Sequence, residues 1–100
     1  SLNKKINQTP IEQPIYLFGA HVFSQHLIEC GLLTNRIEYL LDNDVNKQDK
    51  RLYGTSLNVK SPNILAKKLN PIIILKAGVY TNEIKQDILE NINSTVIFWE

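Results

Sequence analysis

Gly19-Ala20-His21 directly follows the apolar run Ile15-Tyr16-Leu17-Phe18, and Asp42 directly follows a second run, Ile37 to Leu41. A glycine between strand and helix lets the backbone turn tightly, and the first N–H groups and dipole of the helix favour an anion such as phosphate. A carboxylate ending the neighbouring strand can accept hydrogen bonds from a ribose diol, and Asn43-Asp44 extends that rim. A third run, Ile72-Ile73-Ile74-Leu75, leads into Ala77-Gly78-Val79-Tyr80. There Gly78 permits close approach of a ligand to the chain. Tyr80 and Glu83 stand where a substrate would touch them, although a strand-exit aromatic and a helix-capping acid need no ligand. The candidate binding residues are therefore Gly19, Ala20, His21, Asp42, Gly78 and Tyr80.

The departures from known patterns narrow the chemistry. A dinucleotide fingerprint is G-x-G-x-x-G, but here G-A-H-V-F-S puts His21 at the second glycine and Ser24 at the third. A bulky side chain at position 21 crowds a bound pyrophosphate, which disfavours tight NAD or FAD binding and leaves a partial or vestigial nucleotide site. His21 is open to three roles: proton donor, phosphate ligand, or cap of the helix start. His26 is expected on the solvated side of its helix, and Cys30 as a small core residue without an activating partner. Asp42, Asp44 and Asp49 resemble an acidic metal loop only superficially, because Lys47, Lys50 and Arg51 interleave with them; a solvated turn is expected. There is no nucleophile–base set, no paired acids and no metal cluster, so no catalytic residue is assigned and this chain is not expected to catalyse anything alone.

These residues must be positioned by elements that the pattern also indicates. The runs at 15–18 and 72–75 each follow a proline and lack period-2 alternation, as central strands buried on both faces do. Further strands are expected at Ile37 to Leu41, Thr95 to Trp99 and, briefly, Ser56 to Val59. Helical spacing of Ala20, Phe23, Leu27 and Ile28 indicates a helix from Ala20 to Cys30, stopped by Gly31. Ser61-Pro62 is an N-cap with proline at the first helical position, and Ile64, Leu65 and Leu69 form its buried stripe. Thr81 is expected to cap a last helix whose Ile84, Ile88, Leu89 and Ile92 share a face, with Glu83 and Asp87 placed toward its N-terminal half to suit its dipole. Alternation of this kind implies an α/β domain, doubly wound, with a parallel sheet in strand order 3-2-1-4-5. The ligand region of such a sheet lies beyond the strand carboxyl ends where the order reverses, between the first and fourth strands.

Composition bounds the rest. Eleven Lys and Arg against ten Asp and Glu create no global field for nucleic acid or an anionic membrane, so neither is an expected partner. A hydrophobic content of 43% supports one core in 100 residues. One cysteine cannot form an internal disulfide, no apolar run reaches bilayer length, and no signal peptide is visible; a reducing cytoplasmic setting is the default. Residues 1–13 are polar and lack an initiator Met; they read as a linker or expression remnant, or else as a mature N-terminus left by Met removal, with the domain spanning 14–100. Trp99 is expected to pack, against a domain that precedes this one.

With those residues in hand, the chain resembles the C-terminal domain of S-adenosylmethionine-dependent sugar C-methyltransferases, which act on nucleotide-linked deoxysugars. The likeness rests on Phe18-Gly19-Ala20, Asp42, Lys47-Gln48-Asp49-Lys50, Gly54-Thr55, Val59, Ser61-Pro62 and Glu83-Ile84, and covers residues 14 to 99. Asp49 stands where that pattern has glycine, and His21-Val22 where smaller residues are common. Polysaccharide-biosynthesis dehydratases and sugar acetyltransferases carry related Rossmann-like modules. The resemblance implies that Gly19, Ala20, His21, Asp42 and Tyr80 face a nucleotide-linked sugar, that no cofactor binds this chain, and that S-adenosylmethionine binds an upstream methyltransferase domain. Two other readings stay open: a nucleotide-sensing regulatory module, and a degenerate scaffold that forms a homodimer or an interdomain contact.

Overall fold

A computed structural model describes the backbone of residues 1–100 and every side chain except those of residues 22 and 23. The proposed part of Phe23 in a buried stripe thus lies outside the described side chains. Ile15–Phe18 forms β1 and Ile72–Leu75 forms β4, and all eight residues are buried. Side chains on a strand alternate between faces, and here the alternation separates two cores. Ile15, Leu17, Ile72 and Ile74 enter one, while Tyr16, Phe18, Ile73 and Leu75 enter the other. Continuous apolar runs are what a parallel strand covered on both sides requires.

The remaining strands are β2 (Ile37–Leu41), β3 (Val59–Lys60) and β5 (Ile97–Trp99). All pairings in the sheet are parallel, and its order is β3-β2-β1-β4-β5. This is the doubly wound α/β topology of a small Rossmann-like domain, with the order reversing between β1 and β4. One irregularity adjusts β2. Ile15 pairs with Ile37 but Leu17 with Leu40, so β2 carries one extra residue. The bulge puts Ile37 and Leu40 on the same face despite their odd spacing, and Leu41 on the opposite one.

Helix α2 (Val22–Glu29) connects β1 to β2; it starts two residues later and stops one residue earlier than the expected span of 20–30, just ahead of the Gly31 turn. The Gly31 amide donates to the Ile28 carbonyl and the Leu32 amide to that of Leu27, a reverse turn that needs the left-handed φ of +97° at Gly31. Helix α3 (Thr81–Asn91) buries Ile88 and packs Ile84, Leu89 and Ile92 against the second core. Asn93 then fastens its end: the side-chain amide donates to the carbonyls of Leu65 and Lys68, both at 2.7 Å.

Several local expectations are corrected. Within residues 1–13, read from sequence as a linker or remnant, Leu2–Gln8 forms helix α1 and Ile6 is fully buried in the first core, while Ile11 is exposed. Burying one isoleucine contributes about 1.5–3 kcal/mol, and Leu2 packs beside it against the same core. Arg36 holds the same segment, donating to the carbonyls of Ile6, Thr9, Pro10 and Gln13 at 3.0–3.4 Å. Trp99 packs on this core beneath Lys5 of α1, whose ammonium lies 5.6 Å from the ring. Pro62–Lys67 is a 3-10 helix capped by Ser61, and its tighter winding ends before Leu69, which is exposed. Thr81 is the first residue of α3, not its cap; Tyr80 occupies the cap position and makes no capping side-chain bond. Cys30 is exposed, with its Sγ 3.6 Å from Nε2 of His26, because it occupies the last position before the Gly31 turn. His26 is exposed as expected. The short strand is displaced to Val59–Lys60, and the last strand begins at Ile97 rather than Thr95.

Candidate functional site

The carboxyl ends of β1, β2 and β4 converge on one cleft of about 400 Å³ at the point where strand order reverses. Gly19, His21, Asp42 and Tyr80 line it together. Ala20 is buried in the first core, and neither it nor Gly78 lines the cleft. Gly78 acts at one remove. Its φ of +60° starts a 3-10 turn, Gly78–Tyr80, that delivers Tyr80 to the cleft and leads directly into α3.

The turn after β1 is closed by the chain itself. The Gly19 amide donates to the Leu41 carbonyl at 2.7 Å, and the Ala20 amide to Oδ2 of Asp42 at 2.9 Å. The buried Ser24 hydroxyl donates to the Gly19 carbonyl, so the residue at the third fingerprint position ties the helix back to the turn. A Cβ on Gly19 would collide with the imidazole of His21, and the φ of +103° there is a left-handed conformation that favours glycine. Two of the amides that a phosphate would meet first are thus already donating. The turn is built as a wall of the cleft, and its geometry is not that of an open phosphate cradle.

Asp42 is the junction of the site. Besides the Ala20 amide it accepts the Asp44 amide through Oδ1 at 2.9 Å, and the Lys47 ammonium lies 3.9 Å from Oδ2. Asp44 repeats the motif by accepting the Asn46 amide, and its carbonyl accepts the Lys47 amide. These consecutive turns fold the 42–47 loop back over β2, which brings Asn43, Asp44 and Lys47 into the rim. The floor is apolar, made of Phe18, Ala77 and Ile84.

Phe18, Lys47 and Ile84 were not assigned to the site from sequence. Phe18 and Ile84 belong to strand and helix stripes that signal core, and Lys47 sits in a charged stretch that signals a solvated turn. The arrangement of an apolar floor, an exposed aromatic and a rim that mixes carboxylates, an amide and the Lys47 ammonium suits a ring bearing hydroxyls. Among the described residues, no group of three His, Cys, Asp or Glu side chains could hold a metal ion. No helix among them is long and apolar enough to cross a membrane. Comparison with family models, with curated proteins and with solved structures finds no match to this chain.

Proposed function

We propose that the domain binds the hydroxyl-bearing end of a nucleotide-linked sugar in the switch-point cleft, as the substrate-facing part of a cytoplasmic, S-adenosylmethionine-dependent sugar methyltransferase. The observation that carries the binding reading is the convergence of Gly19, His21, Asp42 and Tyr80 on one cleft beyond the strand ends. Tyr80 is 63% exposed, so its ring face is available to stack on a sugar or base. Asn43, Asp44 and Lys47 supply donors and acceptors for hydroxyl groups along the opposite rim. The methyl donor and the acid–base chemistry belong, on this reading, to a partner domain upstream, and the chain takes no cofactor of its own. Saturation-transfer NMR with UDP- and TDP-sugars and with S-adenosylmethionine tests it. Sugar protons saturated by the protein support the reading, and binding of the methyl donor alone would sink it.

The self-sealed Gly19 turn favours one second reading, a scaffold that holds domains or copies together and binds no nucleotide. Sedimentation distinguishes it: self-association of the chain with no response to any nucleotide sugar supports the scaffold.

A further inference from the structure

Next to the switch-point cleft lies a smaller depression of about 160 Å³, lined by Ala20, Lys47, Lys50, Arg51 and Tyr53 among others. In a chain of net charge +1, three cations around one depression are a local concentration of charge. The loop that presents them is fixed. The Asp49 amide donates to the Val59 carbonyl and the Val59 amide to the Lys50 carbonyl, each at 2.7 Å, and the Leu52 amide donates to Leu57 at 2.9 Å. The Gln25 side chain of α2 donates to the Tyr53 carbonyl at 3.1 Å and ties the loop to the helix.

Most of the neighbouring carboxylate capacity is engaged by other groups. Asp42 and Asp44 accept backbone amides and Asp49 pairs with Lys60 at 3.0 Å, while Lys47 lies 3.9 Å from Oδ2 of Asp42 at the edge of the cleft. Lys50 and Arg51 have no carboxylate partner among the described residues. The two depressions share Lys47, and their walls meet at the consecutive residues Gly19 and Ala20, so one extended ligand can occupy both.

We propose that Lys47, Lys50 and Arg51 form a phosphate site, which takes the diphosphate of the nucleotide whose hydroxyl-bearing end lies in the switch-point cleft. The inference rests on the binding reading above and deepens it. It moves the anion from the glycine turn, where the Gly19 and Ala20 amides are engaged, to a basic loop beside it. Lysines act there as point charges and the arginine as a planar fork for two phosphate oxygens.

The test is amide NMR on the full chain, titrated with inorganic pyrophosphate at low ionic strength, for wild type and the Lys50→Gln/Arg51→Gln variant. Both positions are exposed, so the variant keeps its fold, checked by its thermal unfolding. Shifts confined to residues 47–53, weakened by added salt and by about fivefold in the variant, support the site. Shifts centred on residues 19–22, equal affinity in the variant, or no pyrophosphate binding overturn it. An uncharged methyl glycoside or nucleoside tests the cleft separately. If it perturbs Phe18, Asp42 and Tyr80 while pyrophosphate does nothing, the phosphate site fails and the cleft reading stands. If pyrophosphate alone binds, at 47–53, the phosphate site holds and the cleft reading fails.

Discussion

The Ala20 amide donates to Oδ2 of Asp42 at 2.9 Å, across the gap between the first two strands. The same carboxylate accepts the Asp44 amide through its other oxygen, so one side chain closes the helix start after β1 and the loop after β2. Asp42→Asn keeps the shape but replaces one acceptor with an NH₂ group, which must face one of those two amides. The expected loss is about 0.5–1.5 kcal/mol in urea unfolding, the net worth of one hydrogen bond, because the NH₂ group can face the exposed Asp44 amide and leave the Ala20 bond in place. An unchanged midpoint would show that water replaces the carboxylate at no cost.

Helix α1 is predicted to be an integral part of the domain. Ile6→Ala should cost about 2–5 kcal/mol, as for other fully buried aliphatic side chains. Arg36→Lys cannot reproduce a fork that reaches four carbonyls, and should raise amide exchange selectively across residues 2–13. An Ile6→Ala midpoint equal to wild type, with no selective exchange in Arg36→Lys, would contradict that integration.

Tyr16 gives the fold an alkaline limit. Its phenol is pushed above the ordinary value of 10.0, first by burial and then by the hydrogen bond it donates to Glu38 at 3.0 Å. Because the folded state holds this proton more tightly than the unfolded one, the contribution is complete below pH 10. It is lost as pH rises beyond that, at up to about 1.4 kcal/mol per pH unit for one proton. Urea midpoints measured from pH 9 to 11.5 should fall less steeply for Tyr16→Phe than for wild type. Parallel curves would contradict the prediction.

The architecture was legible where burial leaves a one-dimensional mark. Two four-residue apolar runs after Pro14 and Pro71 read as central strands, and their alternation with helical segments implies the parallel sheet that is found. From the topology alone, Gly19, His21, Asp42 and Tyr80 fall at the reversal point, and the structure brings those four together. Helix α1 left no such mark, because a single anchor, Ile6, has no period and the arginine that holds it is 30 residues away. The burial of Ile37 and Leu40 on one face depends on a bulge that no spacing rule signals. Leu69 continued a helical stripe on paper, but the 3-10 winding stops short of it and Asn70 turns the chain with a φ of +50°. Lys47 reaches the rim only because the Asp42 and Asp44 side chains fold their loop back, a consequence of hydrogen bonds rather than hydrophobic pattern.

The central claim is that the cleft between β1 and β4 receives the hydroxyl-bearing end of a nucleotide sugar, and Tyr80 is its most direct probe. This residue lines the cleft yet is largely exposed, so its removal leaves the cores intact. Calorimetric titration of a TDP-sugar into wild type and Tyr80→Ala should show binding that falls about tenfold in the variant, the scale of one lost stacking contact, with thermal unfolding unchanged. No binding to wild type, or equal binding to both, would contradict the account.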